Sequence, residues 1–222
     1  MFQKIVVSAL IAGFGAGLVH ALLQFVFIQP LLIHAELFEL GPLPGLDAVT
    51  VPRGVIDPLR EALNVVFAAL VYTGYALVLL AVMSFAEERG KTITARNGLI
   101  WGIAGFVTMH LAPAFGLAPD MPGLNAAPVE PRQVWWFGTA AATGVGLWLI
   151  AFGRNWSIWG AAIILITAPH IIGAPLPLML SNIAPPELAA NFAARTLGVA
   201  LVVWTTLGLL LGAVWNSKLS EV

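Results

Sequence analysis

Four histidines, His20, His34, His110 and His170, stand out in a chain otherwise dominated by apolar stretches. His20, His110 and His170 fall inside segments long enough to cross a bilayer, where a polar ring costs free energy and needs a compensating role. Imidazole combined with carboxylate suits borderline divalent cations such as Co²⁺, Ni²⁺ and Zn²⁺, and His34 is followed by Glu36 and Glu39. At the rise of a helix, His20, His110 and His170 each lie about 13–15 residues beyond the inner start of their segments, past the midplane toward the outside. His34 would then sit at the outer mouth. The candidate ligands of a transition-metal path are therefore His20, His34, Glu36, Glu39, His110 and His170. The competing role for each imidazole is a hydrogen bond between helices, and spacing alone defines no ligand set. His34 and Glu36 share no helical face, so an irregular segment is needed to bring them together. Met109, Met121 and Met179 offer thioether sulfur but read mainly as packing residues.

Other chemistries find little support. The chain has no cysteine, which removes disulfides, thiolate ligands and cysteine nucleophiles. There is no HExxH pair, no glycine-rich phosphate loop and no Walker lysine, so the chain alone is no ATP-driven pump. Its serines lack a nucleophile-elbow setting. A formal net charge of -1 gives no basic patch for nucleic acid or anionic lipid.

The elements that must position these residues are membrane helices. With 59% hydrophobic and 9% charged residues, the chain lies outside the range of soluble domains, about a quarter charged. The expected fold is all-α, a polytopic membrane helix bundle in a single domain over 1–222. Spanning takes about 20 apolar residues, and six segments qualify or nearly so: 5–33, 61–85, 97–117, 133–152, 157–178 and 192–215. The first reads as a retained helix rather than a cleaved leader. The fifth carries Pro169, Pro175 and Pro177, which predict a broken or short helix. With both termini cytoplasmic, Lys4, Arg89, Lys91, Arg96, Arg154 and Lys218 lie inside, against Arg53, Arg60, Arg132 and Arg195 outside. Most acidic residues then fall outside, Glu61 among them, and raise the local cation concentration there. Seven of the tryptophans mark segment edges, and Trp204 falls mid-span. The outer loops, 34–60, 118–132 and 179–191, are long and rich in proline and glycine.

Ile100-Trp101-Gly102 recurs as Ile158-Trp159-Gly160, each opening a segment that later carries a histidine near a proline. Three hairpins with such an echo are consistent with a repeat-built transporter. Gly13-x-x-x-Gly17 in the first segment, and Thr139, Thr143, Gly144 and Gly146 in the fourth, are small faces that let helices pack closely, within one bundle or between copies in a homo-oligomer. Gln24, Asn64, Tyr72 and Thr108 are either polar contacts between helices, the favoured reading, or the lining of a path.

The block Leu111-Ala112-Pro113-Ala114-Phe115-Gly116-Leu117-Ala118-Pro119-Asp120-Met121-Pro122-Gly123, followed by Arg132-Gln133 and Trp135-Trp136, resembles the CbtA family of probable cobalt transporter subunits. So do Pro169-His170-x-x-Gly173-Ala174-Pro175 and Pro186-Glu187-Leu188 with Phe192. Ala35-Glu36 and Glu39 look like the family's Glu-Ala-Glu-x-aromatic-Glu pattern, with His34 in place of the first Glu and Phe38 in the aromatic place. The resemblance covers almost the whole chain. It implies an inner-membrane subunit for Co²⁺ uptake linked to cobalamin supply, working with a small one-helix, histidine-bearing CbtB partner. It carries over His170, Glu36 and Glu39; His20, His34 and His110 rest on the depth argument. Cobalt is here the transported ion, with no resident cofactor. The rival readings are a membrane scaffold or accessory subunit with structural histidines, and a membrane enzyme acting on a lipid-soluble substrate.

Overall fold

The computed structural model describes residues 2–39, 58–177 and 184–217, and these are helical or irregular, with no strand among them. The helices are α1 (Phe2–Leu23), α2 (Gln29–Glu39), α3 (Pro58–Glu87), α4 (Ala95–Phe106), α5 (Ala112–Ala114), α6 (Val129–Phe152), α7 (Trp156–Ile172) and α8 (Pro186–Trp215). Among the described residues, four stretches are long and apolar enough to cross a membrane: Phe2–Phe38, Pro58–Glu87, Val129–Phe152 and Pro186–Trp215. The fold is a membrane helix bundle, as the composition requires. Arg53, Asp57, Met179 and Lys218 lie outside the described residues, as do most of the 34–60 loop and part of the 179–191 loop.

Among the described residues two π-helical turns interrupt the apolar helices, Gln24–Ile28 between α1 and α2 and Val107–Leu111 between α4 and α5. Each is followed, two residues past its end, by a proline, Pro30 and Pro113. A proline inside a helix has no N–H to donate and its ring crowds the carbonyl four residues back. One extra residue in the preceding turn moves that carbonyl aside, so the helix continues instead of breaking. The third expected segment is accordingly helical from Ala95 to Ala114, with the π turn inside it.

Helix ends differ from the sequence expectation where proline and acidic residues start a helix. α8 begins at Pro186 rather than at 192, and α6 at Val129 rather than at 133. The first-turn N–H groups of a helix have no partner within it, so proline loses nothing there, and Glu187 or Glu130 complements the positive helix end. α7 is short at 17 residues. Its start is capped by Asn155, whose side chain accepts from the Ile158 N–H at 2.9 Å. It ends at Gly173, whose φ of 87° no residue with a Cβ adopts easily and whose N–H donates to the Pro169 carbonyl at 3.0 Å. Pro175 and Pro177 follow, outside the helix. Replacing Asn155 by alanine is expected to lower stability by about 1 kcal/mol, read as a fall in the thermal midpoint of the detergent-solubilised protein.

The chain forms two compact units, one of Met1–Gln29, Arg53–Phe106 and Gly198–Val222, the other of Pro30–Pro52 and Val107–Leu197. In the first, α1 and α3 run antiparallel with their backbones in contact. A Cβ on Gly13 would lie 2.5 Å from Thr73 Cα, and one on Gly17 2.5 Å from Ala69 Cα. α4 and α8 pack the same way through a seam the small-residue reading missed. A Cβ on Gly98 would lie 2.0 Å from the Gly208 carbonyl oxygen, one on Gly102 2.3 Å from that of Trp204, and one on Gly212 2.2 Å from that of Thr94. Such approach gains dispersion contact where no hydrophobic force acts between helices in lipid. At one end of this unit the Lys4 ammonium lies 4.5 Å from the Trp215 ring centroid. The same indole donates to Glu87 Oε1 at 3.3 Å. In the second unit α6 packs on α7, with Gly146 lying against Ile166 and the Ala162 carbonyl.

Candidate functional site

His20 projects from α1 into an aromatic row in the first unit. Its ring centroid is 5.0 Å from that of Tyr72, Tyr72 is 5.7 Å from Tyr75, and Tyr75 is 4.9 Å from Trp204. Tyr72 and Tyr75 are the two tyrosines of the chain. Trp204, the one mid-span indole, lies flat over Gly105, where a Cβ would fall 2.2 Å from the ring. The imidazole is half-buried, and its Nδ1 is buried with no hydrogen-bond partner among the described residues. An imidazole nitrogen in that position is costly unless a ligand or water meets it.

A second polar contact in this unit escaped the sequence reading. Gln29, on the first turn of α2, donates through Nε2 to Glu61 Oε1 on the first turn of α3, and the pair is partly buried. The charge of Glu61 was legible, but its neighbour was not: 32 residues separate the two.

His110 lies in the second π turn, half-buried, three residues before Pro113. Thr108 in the same turn packs on α6 at Gly144, where a Cβ would lie 3.3 Å from its methyl group. His170, in the last turn of α7, is exposed and set between two aromatic edges, with ring centroids 6.0 Å from Trp135 and 5.9 Å from Phe115. Trp135 is held in turn, its Nε1–H donating to the Pro169 carbonyl at 3.1 Å. Gly116 is what lets the segment after α5 lie on this indole, since a Cβ there would be 2.5 Å from Trp135 and 2.7 Å from Ala174. Asp120 pairs with Arg132, which ties the same segment to the first turn of α6. Met121 is buried, as a packing residue would be.

His34 and Glu36 lie on α2, and the helix continues past them to Glu39. They are therefore about 200° apart around one axis and do not converge, so the irregular segment that would have joined them is absent here. The His34 ring instead rests 5.3 Å from Phe38, one turn on. The side chain of Glu39 lies outside the described residues. Among the described residues no three of the histidines and carboxylates gather into a group that would hold a metal ion. His20 belongs to the first unit and the other five candidates to the second. What the arrangement offers is separate polar stations on different helices, with one exposed imidazole at His170.

A protein-family model described as "Probable cobalt transporter subunit (CbtA)" matches residues 2–216. No curated protein and no solved structure matches the chain.

Proposed function

The chain belongs to the CbtA family of probable cobalt transporter subunits, and from that premise we propose that it passes Co²⁺ inward across the inner membrane by way of separate imidazole and carboxylate stations. The family match over residues 2–216 carries this reading. His34, Glu36 and Glu39 on α2 attract the ion at the outer mouth, and His110 and His170 then bind it in turn. The π turn and Pro113 loosen the helix at His110, and carbonyls displaced from their usual donors suit a cation that keeps part of its water. Separate stations favour this outcome, because a closed cage of several ligands would hold the ion too tightly to release it. Both termini are cytoplasmic in this reading, with Arg89 and Lys91 after α3, Arg96 on α4 and Arg154 between α6 and α7 on the inner side. A small histidine-bearing CbtB-like subunit completes the system. The chain carries no catalytic step.

Cells expressing the doubly substituted His110→Ala, His170→Ala protein should accumulate ⁵⁷Co at least about tenfold more slowly than wild type, the lower end of what losing even the hydrogen-bond partners of metal ligands costs, with equal protein in the membrane. Undiminished uptake at equal abundance would remove the path through these two residues.

A further inference from the structure

The π turn between α1 and α2 changes which residues share a face. Gln24 lies one ordinary turn beyond His20, and the Gln29 N–H donates to the Gln24 carbonyl across the π turn. His20, Gln24 and Gln29 are therefore stacked along one side of an otherwise apolar helix. In a regular helix Ile28 would occupy the place that Gln29 takes. Two of the three demonstrably meet α3, His20 at Tyr72 and Gln29 at Glu61. The result is a polar strip in an apolar helix pair, with a carboxylate at one end and a buried, unpartnered imidazole nitrogen at the other.

We infer that this α1–α3 strip is a cation-binding seam, with Glu61 as its anionic mouth and His20 as its inner station, and that it takes a divalent transition-metal ion. Carboxylate, amide oxygen and imidazole are the donor types that such borderline cations accept. Nine residues of helix separate Gln29 from His20, about 13 Å, so one ion cannot touch both ends. Glu61 and His20 are successive stations, with Gln24 between them. Past His20 the interface closes, because Gly17 and Gly13 bring the α1 backbone against Ala69 and Thr73 with no room for an ion. The seam is open at the Glu61 end only, and an ion reaching His20 leaves the α1–α3 interface there. This rests on the uptake reading but adds a carboxylate and two amides that the histidine path does not contain.

The test uses the charge of Glu61 separately from its hydrogen bond. In Glu61→Gln the Gln29 amide still finds a carbonyl oxygen to donate to, so a purely structural role is preserved while the charge is gone. Equilibrium binding of ⁵⁷Co to the full chain in lipid nanodiscs should weaken at least about tenfold in Glu61→Gln. It should stay near wild type in Glu61→Asp, with thermal midpoints unchanged in both. His20→Asn should lower the number of ions bound and leave the Glu61 station occupied. Wild-type affinity and stoichiometry in both Glu61→Gln and His20→Asn would overturn the seam and leave uptake through His110 and His170 standing. A wild-type chain that binds ⁵⁷Co in nanodiscs but supports no cellular uptake would defeat the transport reading instead. Should Glu61→Gln fail to fold, Gln24→Leu decides the matter: unaltered binding in that variant counts against the seam.

Discussion

Replacing Gly208 by valine is expected to remove nearly all folded protein from the membrane. A Cβ at this position would lie 2.1 Å from the Gly98 carbonyl oxygen and 2.7 Å from the Gly102 nitrogen. Both are backbone atoms that cannot rotate away. Overpacking a close-fitted interior typically costs about 1–3 kcal/mol when side chains can adjust. Here α4 and α8 would have to separate along their length, so the penalty exceeds that range and the helix pair is lost. Alanine, one methyl larger than glycine, should already be strongly destabilising. Gly198 supplies the control within the same helix, since nothing lies within 4 Å of a Cβ there. Gly198→Ala should be neutral or stabilising by up to about 1 kcal/mol, through helix propensity alone. Membrane abundance and the thermal midpoint of the purified protein read both variants. Equal stability of Gly208→Val and Gly198→Ala would show that α4 and α8 do not meet as described.

Trp135→Ala should cost about 3–5 kcal/mol, the range for deleting a buried aromatic ring. Trp135 is 9% exposed, touches the segment at Gly116, and frames His170. Its loss opens a cavity and leaves His170 with Phe115 as its remaining ring neighbour among the described aromatic contacts. Trp135→Phe removes the indole N–H and the benzo-ring atoms that face Gly116 but keeps one aromatic ring. The Pro169 carbonyl keeps the Gly173 N–H as a donor at 3.0 Å, so no buried acceptor is orphaned, and the expected cost, one hydrogen bond plus part of the ring volume, is about 1–3 kcal/mol, below that of Trp135→Ala. An unchanged melting curve for Trp135→Ala would show that the indole does not hold the His170 region together.

The histidines were legible because an imidazole in an apolar segment is conspicuous whatever the packing around it. The block from Leu111 to Gly123 pointed to the family in the same direct way, since its prolines, glycines and Asp120 are read as letters. What lay beyond reach was which polar residues meet. Glu61 is legible as an acidic residue, but nothing along the chain places Gln29, 32 residues away, beside it. His34 and Glu36 would meet only in an irregular segment, and α2 runs through both. The second glycine seam is not legible along the chain because Gly98 and Gly102 acquire meaning only against Gly208 and Gly212, on a helix more than a hundred positions later.

The sequence by itself determined that this is a bundle of membrane helices, because hydrocarbon offers a backbone no partner but itself. It also determined the family and the identity of the polar groups. The tertiary structure alone decided the facing of those groups. A single extra residue in a π turn, placed by Pro30, rotates everything after it and sets Gln29 rather than Ile28 above His20 and Gln24. Apolar periodicity could not reveal that rotation, since a lipid-facing and a helix-facing position in such a chain carry the same kind of residue.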